Sequence, residues 1–293
     1  MISEFIKQHK LSDAFKDIAT QYYIPLAEEI SSHHKSAQNT YFVGINGSQG
    51  SGKSTLSEFI KAYLTEAHSL NVVVMSLDDF YFSHAKRHSL AANIHPLLQT
   101  RGVPGTHNME QAQTVLNALR QQLPATVPRF NKATDDPHPT ANWTTISEPI
   151  DVVIFEGWCW GVHAQTAEQL KTPVNKLESE QDKEAIWRTY ANTQLSLHYA
   201  TLYSYMNKWV MLSAPSFEDV YAWRLEQEQK LIAASGSGNH SGLMNEQQIL
   251  DFIQYYQRLT EHGLNTLPAT CDHVFKLNSK RKIVEHIKKD VHE

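Results

Sequence analysis

The sequence predicts an α/β fold of three layers: a central parallel sheet of about five strands between helices, with a helical extension at the N-terminus. Short apolar, strand-like runs alternate with helix-like segments along most of the chain. This alternation is typical of βαβ units, and therefore of a parallel sheet covered on both faces. The chain has 293 residues, 41% of them hydrophobic and 19% charged, so it can bury the hydrophobic core that such a fold needs.

The N-terminal part of the chain is expected to be helical. Its apolar residues between Ile2 and Tyr22 recur at roughly helical spacing. The polar stretch 31–40 predicts a connector. We therefore divide the chain into a helical N-terminal extension, residues 1–39, and one domain, residues 40–293.

The other elements follow in chain order. The sequence predicts strands at 41–46, 71–77, 151–157, 209–213 and 272–277. It predicts helices at 53–67, 108–122, 182–207, 216–234 and 245–261. It also predicts irregular chain at 80–104 and 127–142, a flexible joint at 236–242, and a return to helix at the C-terminus.

The first strand leads into a glycine-rich segment, residues 47–54, which fits the pattern G-x-x-x-x-G-K-[ST]. Glycines let backbone N–H groups turn inward toward phosphate oxygens, and the helix that follows adds the positive end of its dipole. Lys53 is placed to reach the β- and γ-phosphates, and the Ser54 hydroxyl to bind Mg²⁺. The sequence thus predicts a P-loop NTPase fold with ATP and Mg²⁺ as cofactors. The predicted nucleotide-binding residues are Gly47, Ser48, Gln49, Gly50, Ser51, Gly52, Lys53, Ser54 and Thr55.

Two of the predicted strands end in acidic residues: Asp78 and Asp79 follow the second strand, and Glu156 lies at the end of the third. Ligands of parallel sheets bind at the carboxyl ends of the strands. Phosphoryl transfer needs one carboxylate that organises Mg²⁺ and another that orients the acceptor hydroxyl. We predict Asp78 as the base and Glu156 as the organiser of metal or water, with Asp79 as a competing metal ligand beside Ser54. The alternative is that these acids only cap the turns that follow the strands.

The composition excludes several classes of partner. The net charge is −5 and there is no block of lysine and arginine, which disfavours a general nucleic-acid binder. No apolar run approaches the ~18 residues that span a bilayer, so we expect no membrane association. Cys159 and Cys271 offer no disulfide framework, so a cytoplasmic protein is expected. The sequence carries no signal for the oligomeric state.

Short motifs between residues 41 and 277 resemble those of the phosphoribulokinase/uridine kinase-like P-loop kinases. The motifs that are similar to the whole group lie at 44–54, 76–81 and 153–158. A closer similarity to D-glycerate 3-kinases of the plant type and their fungal and bacterial relatives lies at 101–107, 128–132, 220–225 and 242–246. One departure is that some members have a glycine-rich segment with Asp and Arg after the basic loop, whereas 133–139 contains neither glycine nor arginine.

The resemblance implies an ATP-dependent kinase of a small hydroxylated metabolite, with D-glycerate converted to 3-phosphoglycerate as the expected reaction. It also implies Asp78 as the catalytic base. Another acceptor, such as pantothenate or a nucleoside, remains an alternative. A regulatory, nucleotide-binding ATPase without an acceptor is the other alternative, and Asp78 argues against it, because an acid that orients an acceptor is superfluous without one.

The resemblance also implies which side chains bind the acceptor. These are Asp78, Tyr81, Arg101, His107, Arg129 and Lys132. Arginine suits a carboxylate because its planar fork can bind both oxygens. Arg224 is expected to act with Lys53, Asp78 and Glu156 in catalysis, as a lid arginine that stabilises charge on the transferring phosphoryl group. The alternative for Arg224 is an ion pair with Glu228, one turn further along the same helix.

Overall fold

A six-stranded sheet runs through the centre of the structure, a computed structural model that describes residues 1–37, 39–234 and 244–289. The strands are β1 Tyr41–Gly47, β2 Val72–Ser76, β3 Ala125–Val127, β4 Phe130–Asn131, β5 Asp136–Pro137, β6 Thr144–Ile146, β7 Val152–Gly157, β8 Lys208–Ser213, β9 His273–Leu277 and β10 Ile283–Lys288. The order across the main sheet is β10-β9-β8-β1-β7-β2. All neighbours in it are parallel except β9 and β10. The predicted α/β fold with a mainly parallel sheet of five strands is confirmed, and β10 adds an antiparallel edge.

Helices cover both faces of this sheet. They are α1 Ile2–Gln8, α2 Phe15–Ile18, α3 Ile24–Ala37, α4 Lys53–His68, α5 His84–Asn93, α6 Met109–Arg120, α7 Ala167–Lys171, α8 Lys176–Gln181, α9 Ile186–Gln194, α10 Ala200–Tyr203, α11 Phe217–Ala234 and α12 Glu246–Thr266. Single π-helical turns, Ala19–Tyr23 and Leu195–Tyr199, join α2 to α3 and α9 to α10. Short 3₁₀ turns lie at Leu77–Phe80, Pro96–Gln99, Thr140–Asn142 and Leu267–Ala269. Among the described residues, no helix is long and apolar enough to cross a membrane.

The N-terminal helices pack into the same hydrophobic core as the sheet. Phe5 and Phe15 lie 5.2 and 5.5 Å, ring centre to ring centre, from Phe59 of α4. Helix α3 buries Leu26 and Ile30 and does not stop at residue 31. The predicted connector over 31–40 is therefore wrong up to Ala37, because the apolar face of α3 is held by packing that the polar composition does not reveal.

Four other predictions of secondary structure are corrected. The stretch 80–104 is not irregular: it contains α5, which Ser83 caps by accepting a hydrogen bond from the Lys86 N–H. The helix predicted from 182 begins at Ile186, because the Asp182 carboxylate accepts hydrogen bonds from the backbone N–H groups of Trp187 and Arg188.

The C-terminus is a strand, not a helix, because β10 pairs with β9. The charged residues of β10 have little strand propensity of their own, and their pairing with β9 makes this segment a strand. The last predicted helix extends to Thr266 rather than 261. The predicted joint at 236–242 lies outside the described residues.

The register of the sheet places the acidic residues beside the glycine-rich loop. Strand β1 lies between β7 and β8, and Ile45 is paired with Glu156 across the β1–β7 ladder. On the other side of β7, Ser76 is also paired with Glu156. The carboxyl ends of β1, β2 and β7 therefore meet at one edge of the sheet, which is where parallel sheets bind their ligands.

Candidate active site

The glycine-rich loop has the conformation of a phosphate-binding loop. Gly50 and Gly52 have φ angles of 78° and 94°, in the left-handed region that favours glycine. Gly52 precedes Lys53, the first residue of α4, so the loop opens directly onto a helix N-terminus. A Cβ atom on Gly50 would lie 2.7 Å from the Cβ of Trp223. Only glycine therefore fits at position 50.

Three polar atoms of this loop are buried without a hydrogen-bond partner among the described residues. They are the Ser48 Oγ, the Gln49 Oε1 and the Ser51 Oγ. Buried polar atoms in folded proteins are nearly always satisfied, by protein, water or ligand. Together with the helix N-terminus, these atoms form a polar cradle that fits the phosphate groups of a nucleotide.

Beside the loop, the Ser54 hydroxyl donates a hydrogen bond of 2.8 Å to Oε1 of Glu156. The Lys53 Nζ lies 3.9 Å from the other carboxylate oxygen, Oε2, which has no hydrogen-bond partner in the described part of the chain. Burial raises the pKa of Glu156, and the charge of Lys53 opposes this. A hydroxyl and a carboxylate oxygen this close form the pair of oxygen ligands that Mg²⁺ takes in phosphoryl-transfer sites.

Asp78 follows β2 on the 3₁₀ turn Leu77–Phe80, which Ser76 caps by accepting a hydrogen bond from the Asp78 N–H. The Lys132 Nζ donates a hydrogen bond of 2.6 Å to Oδ2 of Asp78. Burial alone would raise the pKa of Asp78, but the charges of Lys132 and Lys53 outweigh it and lower that pKa to about 2. Asp78 is therefore ionised at neutral pH and paired with Lys132.

Asp79 faces a different group of residues. Its Oδ2 accepts a hydrogen bond of 2.6 Å from Arg129 Nη1, and its Oδ1 accepts a longer one of 3.3 Å from the Phe130 N–H. Arg129 Nε also donates to the Thr144 hydroxyl. Burial raises the pKa of Asp79, against the charge of Arg129. Asp79 thus anchors the chain that leads into β4, while Ser54 pairs with Glu156.

Tyr81 and His107 lie together under the site. Their rings stack at 4.1 Å, and both side chains are buried. The Tyr199 hydroxyl accepts the Gly105 N–H at 3.2 Å and lies 2.6 Å from His107 Nδ1, so its own hydrogen is free to be donated to Nδ1. Burial lowers the pKa of His107 to about 3, so the ring is neutral and its proton is assigned to Nε2. That nitrogen is buried and has no partner among the described residues.

Arg101 is linked to a residue that the sequence did not single out. Its Nη1 donates a hydrogen bond to Oδ1 of Asp135. The other oxygen of Asp135, Oδ2, accepts a hydrogen bond of 2.7 Å from Arg87 Nη2. Arg87 is fully buried and also donates to the carbonyl oxygens of Phe82 and Gln99. Arg101 therefore takes its position from a network that reaches the interior.

Arg224 is paired within its own helix. Its Nη2 lies 2.7 Å from Oε2 of Glu228, which is the ion pair that the sequence left open as the alternative. The other oxygen of Glu228, Oε1, accepts a hydrogen bond from the Met244 N–H, and the guanidinium of Arg224 lies 6.0 Å from the centre of the Phe252 ring. Arg224 thus connects α11 to the region where α12 begins.

Several residues of the site escaped the sequence analysis. Asp135 and Arg87 hold Arg101, and Arg281 donates a hydrogen bond of 2.8 Å to the carbonyl oxygen of Gly50. The Tyr256 hydroxyl lies 3.3 Å from the carbonyl oxygen of Arg101. Only Asp135 carried a usable signal, since it lies three residues after Lys132 in the segment that departs from the similar kinases.

Comparison with known proteins gives consistent matches. Residues 42–188 match the model of the Phosphoribulokinase / Uridine kinase family. The chain is 30% identical over 236 residues to a protein of Schizosaccharomyces pombe named uncharacterized kinase mug58, a match that covers 78% of this chain and 82% of the relative. It is 27% identical over 283 residues to the chloroplastic D-glycerate 3-kinase of Arabidopsis thaliana, covering 90% of this chain and 58% of that enzyme.

The fold also matches a solved structure. The D-glycerate 3-kinase of Cryptococcus neoformans superposes with a TM-score of 0.75, over 93% of this chain and 99% of that one. The two sequences are 24% identical, so this likeness concerns the fold. Together with the geometry of the loop and the strand ends, these matches identify the edge of the sheet as the candidate active site.

Proposed function

Because the chain belongs to the phosphoribulokinase/uridine kinase family, we propose that this P-loop small-molecule kinase transfers the γ-phosphate of ATP to a hydroxyl of a small sugar acid. D-glycerate is the acceptor we propose, with 3-phosphoglycerate as the product. The names of the Arabidopsis and Cryptococcus relatives support this choice.

One observation carries the proposal. Asp78 is an ionised carboxylate at the carboxyl end of β2 that is hydrogen-bonded to Lys132, and the positive charge of Lys53 also acts on it. Lys53 is the lysine of the phosphate-binding loop. An acid between the phosphate lysine and a basic loop is placed to orient a hydroxyl toward the γ-phosphate. A nucleotide-hydrolysing regulatory protein has no need of such an arrangement.

In this mechanism, Asp78 accepts a hydrogen bond from the acceptor hydroxyl. The hydroxyl oxygen forms a bond to the γ-phosphorus as the bond to the β–γ bridging oxygen breaks, and the hydroxyl proton passes to Asp78. Lys53 stabilises the negative charge on the phosphoryl oxygens. Although Lys132 pairs with Asp78, its side chain is 62% exposed, so an incoming acceptor can take its place beside the carboxylate.

The metal would be held by Ser54 and Glu156. Their 2.8 Å hydrogen bond brings a hydroxyl and a carboxylate oxygen to one point at the end of the loop. When bound, Mg²⁺ supplies positive charge to the β- and γ-phosphate oxygens. Asp79 is instead assigned to hold Arg129, because both of its oxygens accept hydrogen bonds there.

The experiment that tests this function measures ADP release from Mg·ATP by the purified protein, with and without acceptor. D-glycerate, L-glycerate, pantothenate and uridine are compared. We expect D-glycerate to stimulate ADP release strongly and to yield 3-phosphoglycerate. Stimulation by a different compound would replace the acceptor but keep the kinase. Slow ADP release that no acceptor changes would contradict the proposed acceptor chemistry.

A further inference from the structure

The hairpin formed by β4 and β5 contacts the site at two points. Between these strands lie Lys132, which binds Asp78, and Asp135, which binds Arg101. Asp135 has a φ angle of 56°, a left-handed conformation that non-glycine residues seldom adopt. The hairpin therefore bends sharply at the residue whose carboxylate reaches Arg101.

The far side of Asp135 is anchored in the interior. The fully buried Arg87 donates to Oδ2 of Asp135 at 2.7 Å and to its carbonyl oxygen at 2.8 Å. A buried guanidinium with this many fixed acceptors is rigid, because its planar fork leaves little freedom once several N–H groups are bound. Asp135 is held by Arg87 and in turn holds the guanidinium of Arg101, whose side chain is partly exposed.

The network of Arg87, Asp135 and Arg101 has one more positive charge than negative charge. The other cations around the loop and Asp78 are each paired with a carboxylate: Lys132 with Asp78, Arg129 with Asp79, Lys53 with Glu156, and Arg224 with Glu228. Arg87 and Arg101, in contrast, share the single carboxylate of Asp135. Within the described chain, Nε and Nη2 of Arg101 donate to no protein atom. One positive charge and one edge of a guanidinium are therefore left over.

Arg101 lines an open cavity of about 440 Å³, and among the described residues that line it Asp135 alone carries a carboxylate. The size of the cavity falls within the range of about 300–1,000 Å³ typical of small-molecule sites. Arg101 is also close to the segment that carries Lys132: its guanidinium lies 5.6 Å from the centre of the Phe130 ring, two residues before the lysine that binds Asp78. The Phe130 ring in turn lies 5.4 Å from the ring of Tyr81, whose pKa is raised by burial and by Asp78 and lowered by the charge of Arg101.

We propose that Arg101 binds the anionic group of the acceptor, and that Asp135, anchored by Arg87, is the positioning residue that holds the guanidinium in place for it. The inference rests on the proposed kinase function and deepens it, because it names an anionic acceptor. It also chooses Arg101 over Arg129 and Lys132, which the sequence had treated alike.

The first test compares Arg101→Gln with Arg120→Gln, an exposed arginine on α6 that serves as a matched control. Steady-state rates are measured with D-glycerate and with its neutral amide, D-glyceramide. Loss of a charge-assisted, two-point contact is expected to raise the KM for D-glycerate about 10- to 100-fold. The KM for D-glyceramide, which lacks the anionic group, is expected to rise much less than the KM for D-glycerate.

The second test separates positioning from mere structure. Asp135→Ala is expected to raise the KM for D-glycerate about tenfold, and Asp135→Asn, which keeps an acceptor oxygen, less. In the double variant with Arg101→Gln, the Asp135→Ala change is expected to add nothing further, because Asp135 acts through Arg101. A purely structural role would give additive effects and a lower melting temperature in both backgrounds.

These experiments distinguish a wrong acceptor from a wrong anion site. If the wild type phosphorylates another anion, such as pantothenate, and Arg101→Gln raises the KM for that anion, D-glycerate is wrong but the anion site stands. A preference for neutral glycerol or uridine, or an unchanged KM in Arg101→Gln, overturns the anion site. If no acceptor is turned over, D-glycerate is titrated calorimetrically into the wild type and into Arg101→Gln, each with Mg·ADP. Weaker binding to Arg101→Gln would support the anion site. No binding to the wild type, or equal binding to both proteins, would overturn it.

Discussion

Arg281, in the turn between the last two strands, donates a hydrogen bond of 2.8 Å from its Nε to the carbonyl oxygen of Gly50 in the phosphate loop. The two residues are 231 positions apart in the sequence. The Arg281 guanidinium also binds Glu226 of α11 and lies 5.3 Å from the centre of the Trp223 ring. The C-terminal hairpin thus supports the back of the phosphate loop.

We predict that Arg281→Ala weakens nucleotide binding. Without the Nε donor, the Gly50 carbonyl loses its partner and the loop is less well ordered before the nucleotide arrives. The KM for ATP is expected to rise about tenfold, the magnitude of one hydrogen bond to a charged donor. Lys280→Ala, an exposed neighbour in the same turn, is the control. Equal ATP affinities in the two variants would argue against a supporting role for Arg281.

A second prediction concerns the metal. Glu156→Gln keeps the shape of the side chain but removes the charge that would hold Mg²⁺ beside Ser54. The Mg²⁺ concentration for half-maximal activity is expected to rise at least about tenfold. Folding stability should change little or improve, because burial already disfavours the Glu156 charge. The measurement is activity against Mg²⁺ at fixed ATP, with the exposed Glu110→Gln as control. An unchanged Mg²⁺ dependence would remove Glu156 from the metal site.

Third, Asp78→Asn is expected to keep ATP affinity and to lose transfer by about 10²- to 10⁴-fold, the usual contribution of a general base. The amide cannot take the hydroxyl proton, while Lys53 and the loop still bind phosphates. The measurement pairs nucleotide titration with product formation, and Asp17→Asn on the surface of α2 is the control. Transfer near the wild-type rate would show that Asp78 is not the base.

The parts of the fold that local pattern determines were predictable. β1, β2, β7, β8 and β9 are apolar runs of the length of a strand, and the glycine-rich motif after β1 specifies the loop by its own residue types. The acids followed from the rule that ligands bind at the carboxyl ends of strands. These inferences use residues that are close in sequence.

The contacts between distant segments could not be predicted. Asp135 meets Arg87 and Arg101 across 48 and 34 positions, and no local pattern marks either pairing. Arg87 lies in a stretch whose composition indicated loop, although its burial fixes α5 in place. β10 was missed for a different reason: its partner β9 is close in the sequence, but its polar residues become a strand only through that pairing. The basic residues of the site were visible in the sequence, but their partners were not.

The last prediction concerns the stability conferred by a neutral His107. Burial lowers its pKa to about 3 in the folded chain, from the ordinary value of 6.5. Above pH 6.5 neither state binds the proton, so the stability is fully present. Below it the unfolded chain takes up a proton that the folded chain refuses, and stability is lost progressively as the pH falls toward 3. The loss is ~1.4 kcal/mol per pH unit.

His107→Gln removes this proton uptake, so its free energy of unfolding is expected to fall less steeply with decreasing pH than that of the wild type. Urea unfolding between pH 7 and pH 5 measures the difference. Burial would raise the pKa of Glu29, but Lys208 and Lys288 lower that pKa to about 2. Glu29 therefore stays ionised in the folded state throughout this window. His88→Gln, at an exposed position on α5, should follow the wild-type slope. Parallel slopes for wild type and His107→Gln would mean that the pKa of His107 is the same in the folded and the unfolded chain, and would contradict a ring that burial keeps neutral.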